Sequence, residues 1–156
     1  MREFAAEPPI EERIAEPLRA TDATVATAES CTGGLIGSYL TDVPGSSDYF
    51  DRTLATYSYD SKMDLVGVSR ETLDEHGAVS EPVARQMARG VRDTAGTTWG
   101  LSTTGIADPD GGSEETPVGT VFVGVAYRGE WGTQDSFARV RRYEFDGTRA
   151  EVKEQI

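Results

Sequence analysis

Ala28-Glu29-Ser30-Cys31-Thr32-Gly33-Gly34 is the stretch that decides the fold. A β-branched run, Thr24-Val25-Ala26-Thr27, precedes it. An amphipathic run follows, with Leu35, Ile36, Tyr39 and Leu40 on one helical face. The pattern predicts a strand, a tight turn and a helix. A serine on that turn sits at a strand end and just before a helix N-terminus. Unpaired N–H groups and the positive end of the helix dipole converge there. Such a place suits a bound anion or a developing oxyanion. Gly33 and Gly34 let a ligand approach the backbone closely.

Outward from this turn, strands and helices alternate. Residues 1–8 read as a loose tail and residues 9–156 as one domain. Ile10, Ile14 and Leu18 share a face of a first helix, which Pro17 is expected to kink or end early. Val43-Pro44-Gly45-Ser46-Ser47 is a turn, and a strand follows between Tyr49 and Ser58 with Tyr57 near its end. Two short helices are expected over Asp60–Val66 and Arg70–Glu75, started by Asp60 and Ser69 and stopped by Gly67 and Gly77. Ser80 is placed to cap a long helix whose Val83, Met87, Val91 and Ala95 line one face. A strand over Thr97–Thr103 runs into a second glycine loop, Thr104 to Gly112. Val118–Tyr127 is apolar and β-branched, as in a strand buried on both faces. Gly132–Phe145, with Arg139, Arg141 and Arg142, reads as an edge strand. Asp146-Gly147-Thr148 opens a last helix. This alternation predicts a three-layer α/β domain with an antiparallel pair near its C-terminal end.

Ser30 needs a base to act as a nucleophile. The single histidine, His76, stands beside a helix-ending glycine and reads as a surface or capping residue. Lys62 is the better candidate, because a desolvated lysine has a lowered pKa and accepts a proton. Tyr57, five residues earlier, is placed to relay that proton or to hold the geometry. The alternative is a Tyr57 packed in the core and a solvated Lys62. Cys31 is the rival nucleophile, since a helix N-terminus favours a thiolate; a small buried apolar residue is its other reading. The glycine loops match neither a Walker A pattern nor a dinucleotide fingerprint. Asp108, Asp110, Glu114 and Glu115 do not reproduce a calcium loop, and no metal or other cofactor is expected. Arg149 is a candidate clamp for a phosphate or carboxylate.

The bulk numbers bound the setting. The 156 residues carry a formal net charge of -12, and only Lys62 and Lys153 among the 15 basic residues are lysines. Acid excess with few lysines predicts adaptation to a salt-rich cytoplasm, where repulsion is screened. Nucleic acid is not an expected partner, for want of a basic stripe. One cysteine excludes an internal disulfide and fits a reducing compartment. No apolar run approaches membrane-spanning length. A cytoplasmic protein without a membrane partner, assembling as a homo-oligomer, is expected.

Longer motifs occur in order. They are Ala28 to Gly34, Pro44-Gly45-Ser46-Ser47, Thr56-Tyr57-Ser58 with Lys62, and Gly77-Ala78-Val79-Ser80-Glu81. Thr104-Gly105-Ile106-Ala107, Pro109-Asp110-Gly111-Gly112, Pro117 to Val121 and Arg149 complete the set. Together they resemble the C-terminal domain of the competence/damage-inducible protein CinA, a family that includes stand-alone nicotinamide-nucleotide amidohydrolases. The resemblance implies a three-layer α/β/α domain with a mixed, mostly parallel sheet. It also implies hydrolysis of the carboxamide of nicotinamide mononucleotide to nicotinate mononucleotide and ammonia. Ser30, Tyr57 and Lys62 match the family's catalytic serine, tyrosine and lysine. Thr32, Gly33, Gly34, Thr104, Gly105, Asp110, Gly111 and Arg149 are the expected contacts to a pyridine nucleotide, with N–H groups around Thr32-Gly33-Gly34 taking the oxyanion. Departures are Tyr59 in place of asparagine, Asp108 in place of glycine, Thr116 in place of lysine, and a shorter last helix. A carboxylate at Asp108 is expected to repel a substrate phosphate. A module of the same fold that binds a nucleotide or a partner without turnover is the alternative reading.

Overall fold

A computed structural model describes residues 3–156. Of the expected tail, residues 1 and 2 lie outside the described residues, and residues 3–8 are exposed without helix or strand. The chain then runs α1 (Ile10–Ala20), β1 (Val25–Glu29), α2 (Leu35–Asp42), β2 (Phe50–Ala55), α3 (Tyr59–Val66), α4 (Arg70–His76) and α5 (Glu81–Ala95). It continues through β3 (Trp99–Gly105), β4 (Thr120–Tyr127), β5 (Phe137–Glu144) and α6 (Arg149–Gln155).

The five strands form one sheet in the order β2-β1-β3-β4-β5. β1 pairs in parallel with β2 and β3, while β4 pairs antiparallel with β3 and β5. The sheet is therefore mixed, with parallel and antiparallel pairings in equal number. Alternate residues of β1 serve opposite layers. Ala26 and Ala28 pack with Val66, Leu73, Val83, Met87 and Val91 beneath α3, α4 and α5. Val25 packs with Ala15, Leu40 and Tyr49 under α1 and α2. Each fully buried valine, leucine or methionine side chain among these contributes roughly 1.5–3 kcal/mol. α5 lies close against the sheet: a Cβ on Gly124 would meet the Ala84 carbonyl at 2.8 Å. The Ser102 hydroxyl donates to that same carbonyl at 2.7 Å. α6 folds over the β3–β4 end, where Val152 packs with Cys31, Ala107 and Val121.

Several local expectations change. Pro17 lies inside α1, which runs on to Ala20. Pro17 leaves the Arg13 carbonyl without a helical donor, and both residues lie on the exposed face of the helix. Ile10 is exposed, and the inward face of α1 starts at the buried Glu11. α3 is capped by the Ser58 side chain, which accepts the Ser61 N–H, so Asp60 falls inside the helix. Ser80 stands at the N-cap of α5, but its hydroxyl donates to the Gly77 carbonyl instead. β5 begins only at Phe137 and is an edge, with Arg139, Arg141 and Arg142 exposed. Among the described residues no helix is long and apolar enough to cross a membrane.

Candidate active site

Ser30 is the first residue past β1, and its N–H donates to the Thr103 carbonyl of β3 at 2.9 Å. The chain then turns back through Gly33 and Gly34 at φ +62° and +102°, values that side chains other than glycine seldom adopt. What closes this turn is the carboxylate of Glu29, wholly buried at the end of β1. It accepts the Thr32 hydroxyl at 2.6 Å and the Thr27 hydroxyl at 3.1 Å. It also accepts the N–H groups of Gly34 at 2.8 Å, Ile36 at 3.2 Å and Gly37 at 2.9 Å. A negative charge at a helix N-terminus satisfies donors that have no helical acceptor. The expected anion site at the start of α2 is thus already filled by the protein's own carboxylate.

This changes the expected oxyanion donors. Gly34 gives its N–H to Glu29, and Gly33 gives its N–H to the Ser30 carbonyl at 3.2 Å. Thr32 spends its hydroxyl on Glu29 and Thr103. Among the described residues, no backbone carbonyl takes the N–H groups of Cys31 and Thr32, and of the two only Cys31 lines the pocket.

Lys62 reaches Ser30 from α3. Its Nζ stands 3.0 Å from the Ser30 Oγ, 2.8 Å from the Thr56 carbonyl and 3.1 Å from the Tyr57 carbonyl. Only 1% of Lys62 and 8% of Ser30 is exposed. Burial lowers the Lys62 pKa to about 8. The two carbonyls accept both N–H bonds of a neutral amine, leaving its lone pair to face the serine hydroxyl. Cys31 does not compete, because burial pushes its thiol up to about 11 and keeps it protonated. Its side chain packs with Ala107, Val121 and Val152.

Tyr57 and Lys62 exchange the places of the alternative reading: the tyrosine is 62% exposed and the lysine is buried. Tyr57 meets Lys62 through its backbone carbonyl. Its hydroxyl instead accepts from Arg149 at 2.7 Å. Arg149 opens α6, which is fixed by a capping box between Thr148 and Glu151.

A cavity of about 250 Å³ gathers Ser30, Tyr57, Lys62, Thr104, Gly105, Gly111 and Arg149, together with Cys31, Ala78, Val79, Ile106, Ala107 and Asp108. Thr104 lies on its wall with its hydroxyl already donated to the Ala78 carbonyl at 2.7 Å. A Cβ on Gly105 would meet Val121 at 2.8 Å and the Cys31 sulfur at 3.2 Å, so only glycine keeps this wall flat. Thr32, Gly33, Gly34 and Asp110 lie outside the lining. Sequence reasoning assigns Glu29 no role. Its signal was an acidic residue between a strand and a Thr-Gly-Gly turn, able to cap the next helix from behind. A larger open depression of about 950 Å³, walled by Arg92, Tyr127 and Trp131, lies at the far end of β4 and holds no nucleophile with a base. No cluster suited to a metal ion occurs among the described residues.

The CinA C-terminal domain family matches residues 7–156. The nicotinamide-nucleotide amidohydrolase PncC of Escherichia coli K12 is 48% identical over 94% of this chain and 85% of its own length. The CinA-like protein of Salinibacter ruber is 50% identical over 93% of this chain, but this covers 34% of that protein. The chain spans about a third of the length of the CinA-like proteins it matches. Among solved structures, the competence/damage inducible protein CihA from Agrobacterium tumefaciens superposes with a TM-score of 0.86 at 38% identity, covering 99% of this chain and 91% of that one. The competence damage-inducible protein A from Klebsiella pneumoniae gives 0.85 at 31% identity, covering 94% and 86%. With its motifs, its fold and these matches in agreement, the chain belongs to the CinA C-terminal domain family.

Proposed function

We propose that this protein hydrolyses the carboxamide of nicotinamide mononucleotide, yielding nicotinate mononucleotide and ammonia. The observation that carries the reading is the Lys62 Nζ at 3.0 Å from the Ser30 Oγ on the wall of a pocket. The neutral Lys62 amine takes the Ser30 proton as Oγ attacks the carboxamide carbon. The Cys31 N–H, next to Ser30 on the pocket wall, is the backbone donor placed for the oxyanion. The Lys62 ammonium then protonates the leaving nitrogen, ammonia departs, and an acyl-serine remains. Lys62, neutral again, takes a proton from the water that attacks the ester and returns it to the Ser30 Oγ as the acyl bond breaks, so the nicotinate product leaves and Ser30 and Lys62 are restored. Tyr57 holds Arg149 on the pocket wall.

The relative named for this activity agrees with such chemistry, which needs only water as co-substrate. A single domain over residues 9–156, a homo-oligomeric state, a cytoplasmic and salt-rich setting, and no nucleic-acid partner complete the proposal. The acid excess supports the last two. The test is ammonia release from nicotinamide mononucleotide in dilute buffer and in molar salt, by the parent and by Ser30→Ala. Turnover in the parent and a loss of about a thousandfold or more in the variant are expected. Binding without ammonia release in the parent would make the chain a nucleotide-binding module.

A further inference from the structure

Arg149 is the one guanidinium on the pocket wall, and both of its terminal nitrogens have neighbours. Nη2 donates to the Tyr57 hydroxyl at 2.7 Å, and Nη1 stands 3.8 Å from Oδ2 of Asp108. Asp108 is held in that position. Its Oδ1 accepts the Asp110 N–H at 3.2 Å, which ties the carboxylate to its own loop while the other oxygen faces the guanidinium. Asp108 lines the same cavity as Ser30 and Lys62. Lys153, one helical turn beyond Arg149, points instead towards Gly33 and is not part of the wall.

The charges on the wall are therefore one guanidinium, one tethered carboxylate and one amine that is neutral when it works. A dianionic phosphate reaches Arg149 only in competition with Asp108. The net charge of -12 adds repulsion at long range. A pyridinium nucleoside carries one positive charge and no phosphate. It meets no such competition, and its ribose hydroxyls donate to a carboxylate. We infer that Asp108 is a specificity-determining residue, which withholds Arg149 from a phosphate and turns the pocket towards the unphosphorylated pyridinium nucleoside bearing the same carboxamide. The inference rests on the amidohydrolase reading only for the identity of the reacting group.

The experiment compares nicotinamide ribonucleoside with nicotinamide mononucleotide. It measures kcat/KM from ammonia release for the parent, Asp108→Asn and Asp108→Gly, with circular dichroism to confirm folding. It also measures Kd for both compounds in the Ser30→Ala protein with and without Asp108→Asn. At low salt the nucleotide-to-nucleoside preference is expected to rise about fivefold to tenfold in both Asp108 variants, and the rise to shrink in molar salt. The change should lie in KM and Kd for the nucleotide. An unchanged preference in both measurements overturns the inference. A shifted Kd ratio without ammonia release upholds it while overturning the amidohydrolase reading.

Discussion

Two loops border one pocket, the turn that carries Ser30 and the glycine loop that carries Asp108, and they use a carboxylate in opposite ways. In the first, Glu29 is wholly buried and accepts five donors from the turn around Ser30. In the second, Asp108 is 60% exposed at its side chain and faces Arg149 at 3.8 Å. The buried carboxylate is part of the scaffold, because leaving its partners unpaired away from water is costly. The exposed one is screened by solvent, so it adjusts ligand binding with little effect on folding. Groups that perform chemistry stand on the dry wall, and groups that sort ligands stand on the wet one.

That contrast is broken most directly at Lys62. Lys62→Arg should lower kcat by about a hundredfold or more, nearly as much as Lys62→Ala, because a guanidinium does not surrender its proton. In the parent the rate should climb with pH up to about 8 and then level off, following the lowered pKa of the buried amine. A pH–rate profile of the three proteins checks this. Substantial activity in Lys62→Arg would leave the lysine a fixed charge and the base unassigned.

Glu29→Gln sharpens the comparison on the stability side. An amide offers one acceptor and turns two N–H donors towards groups that already donate, so denaturant unfolding should show a loss of about 2–4 kcal/mol. Asp108→Asn should stay within about 0.5 kcal/mol of the parent. Equal losses for the two would remove the distinction between scaffold and ligand-sorting carboxylates.

Lys62 also makes stability depend on pH. Its ordinary pKa of 10.5 falls to about 8 in the folded protein. Below about pH 8 both states hold the proton, and the folded state bears a buried ammonium. Between about 8 and 10.5 the unfolded state holds more protons, so stability rises with pH, and above 10.5 this contribution is level. The full rise is on the order of 3 kcal/mol. Lys62→Met should lack it, and unfolding curves of both proteins at pH 7.5, 9 and 10 would show whether the gap moves in the parent's favour.

The smallest effect is expected on the wet wall at Tyr57. Tyr57→Phe removes one exposed hydrogen bond to Arg149 and should raise KM about threefold or less, with kcat nearly kept. Steady-state kinetics decide it. A hundredfold fall in kcat would bring the tyrosine hydroxyl into the proton path.

The local order of the chain was legible without coordinates. The β-branched run before Glu29, the Gly33-Gly34 turn and the four-residue spacing of Val83, Met87 and Val91 each depend on neighbours along the chain, where side-chain periodicity and backbone preference act directly. The same rules let Pro17 either kink or end the first helix, and only the fold shows that the helix runs past it to Ala20. The serine, the lysine and the arginine could also be singled out as types, since their chemistry belongs to the side chain alone.

What the sequence determined by itself was therefore the strand-turn-helix at Ser30, the alternation that makes a layered α/β domain, and the inventory of reactive groups. Only the tertiary structure decided how those groups are paired. Folding brought Lys62 to 3.0 Å from Ser30 across 32 residues, sent the Tyr57 hydroxyl to Arg149 across 92, and assigned the α2 N–H groups to Glu29. These outcomes depend on burial and on competition among acceptors in space. A helix N-terminus is an anion site only while its donors are free, and a lysine is a base only where the fold takes its ammonium out of water.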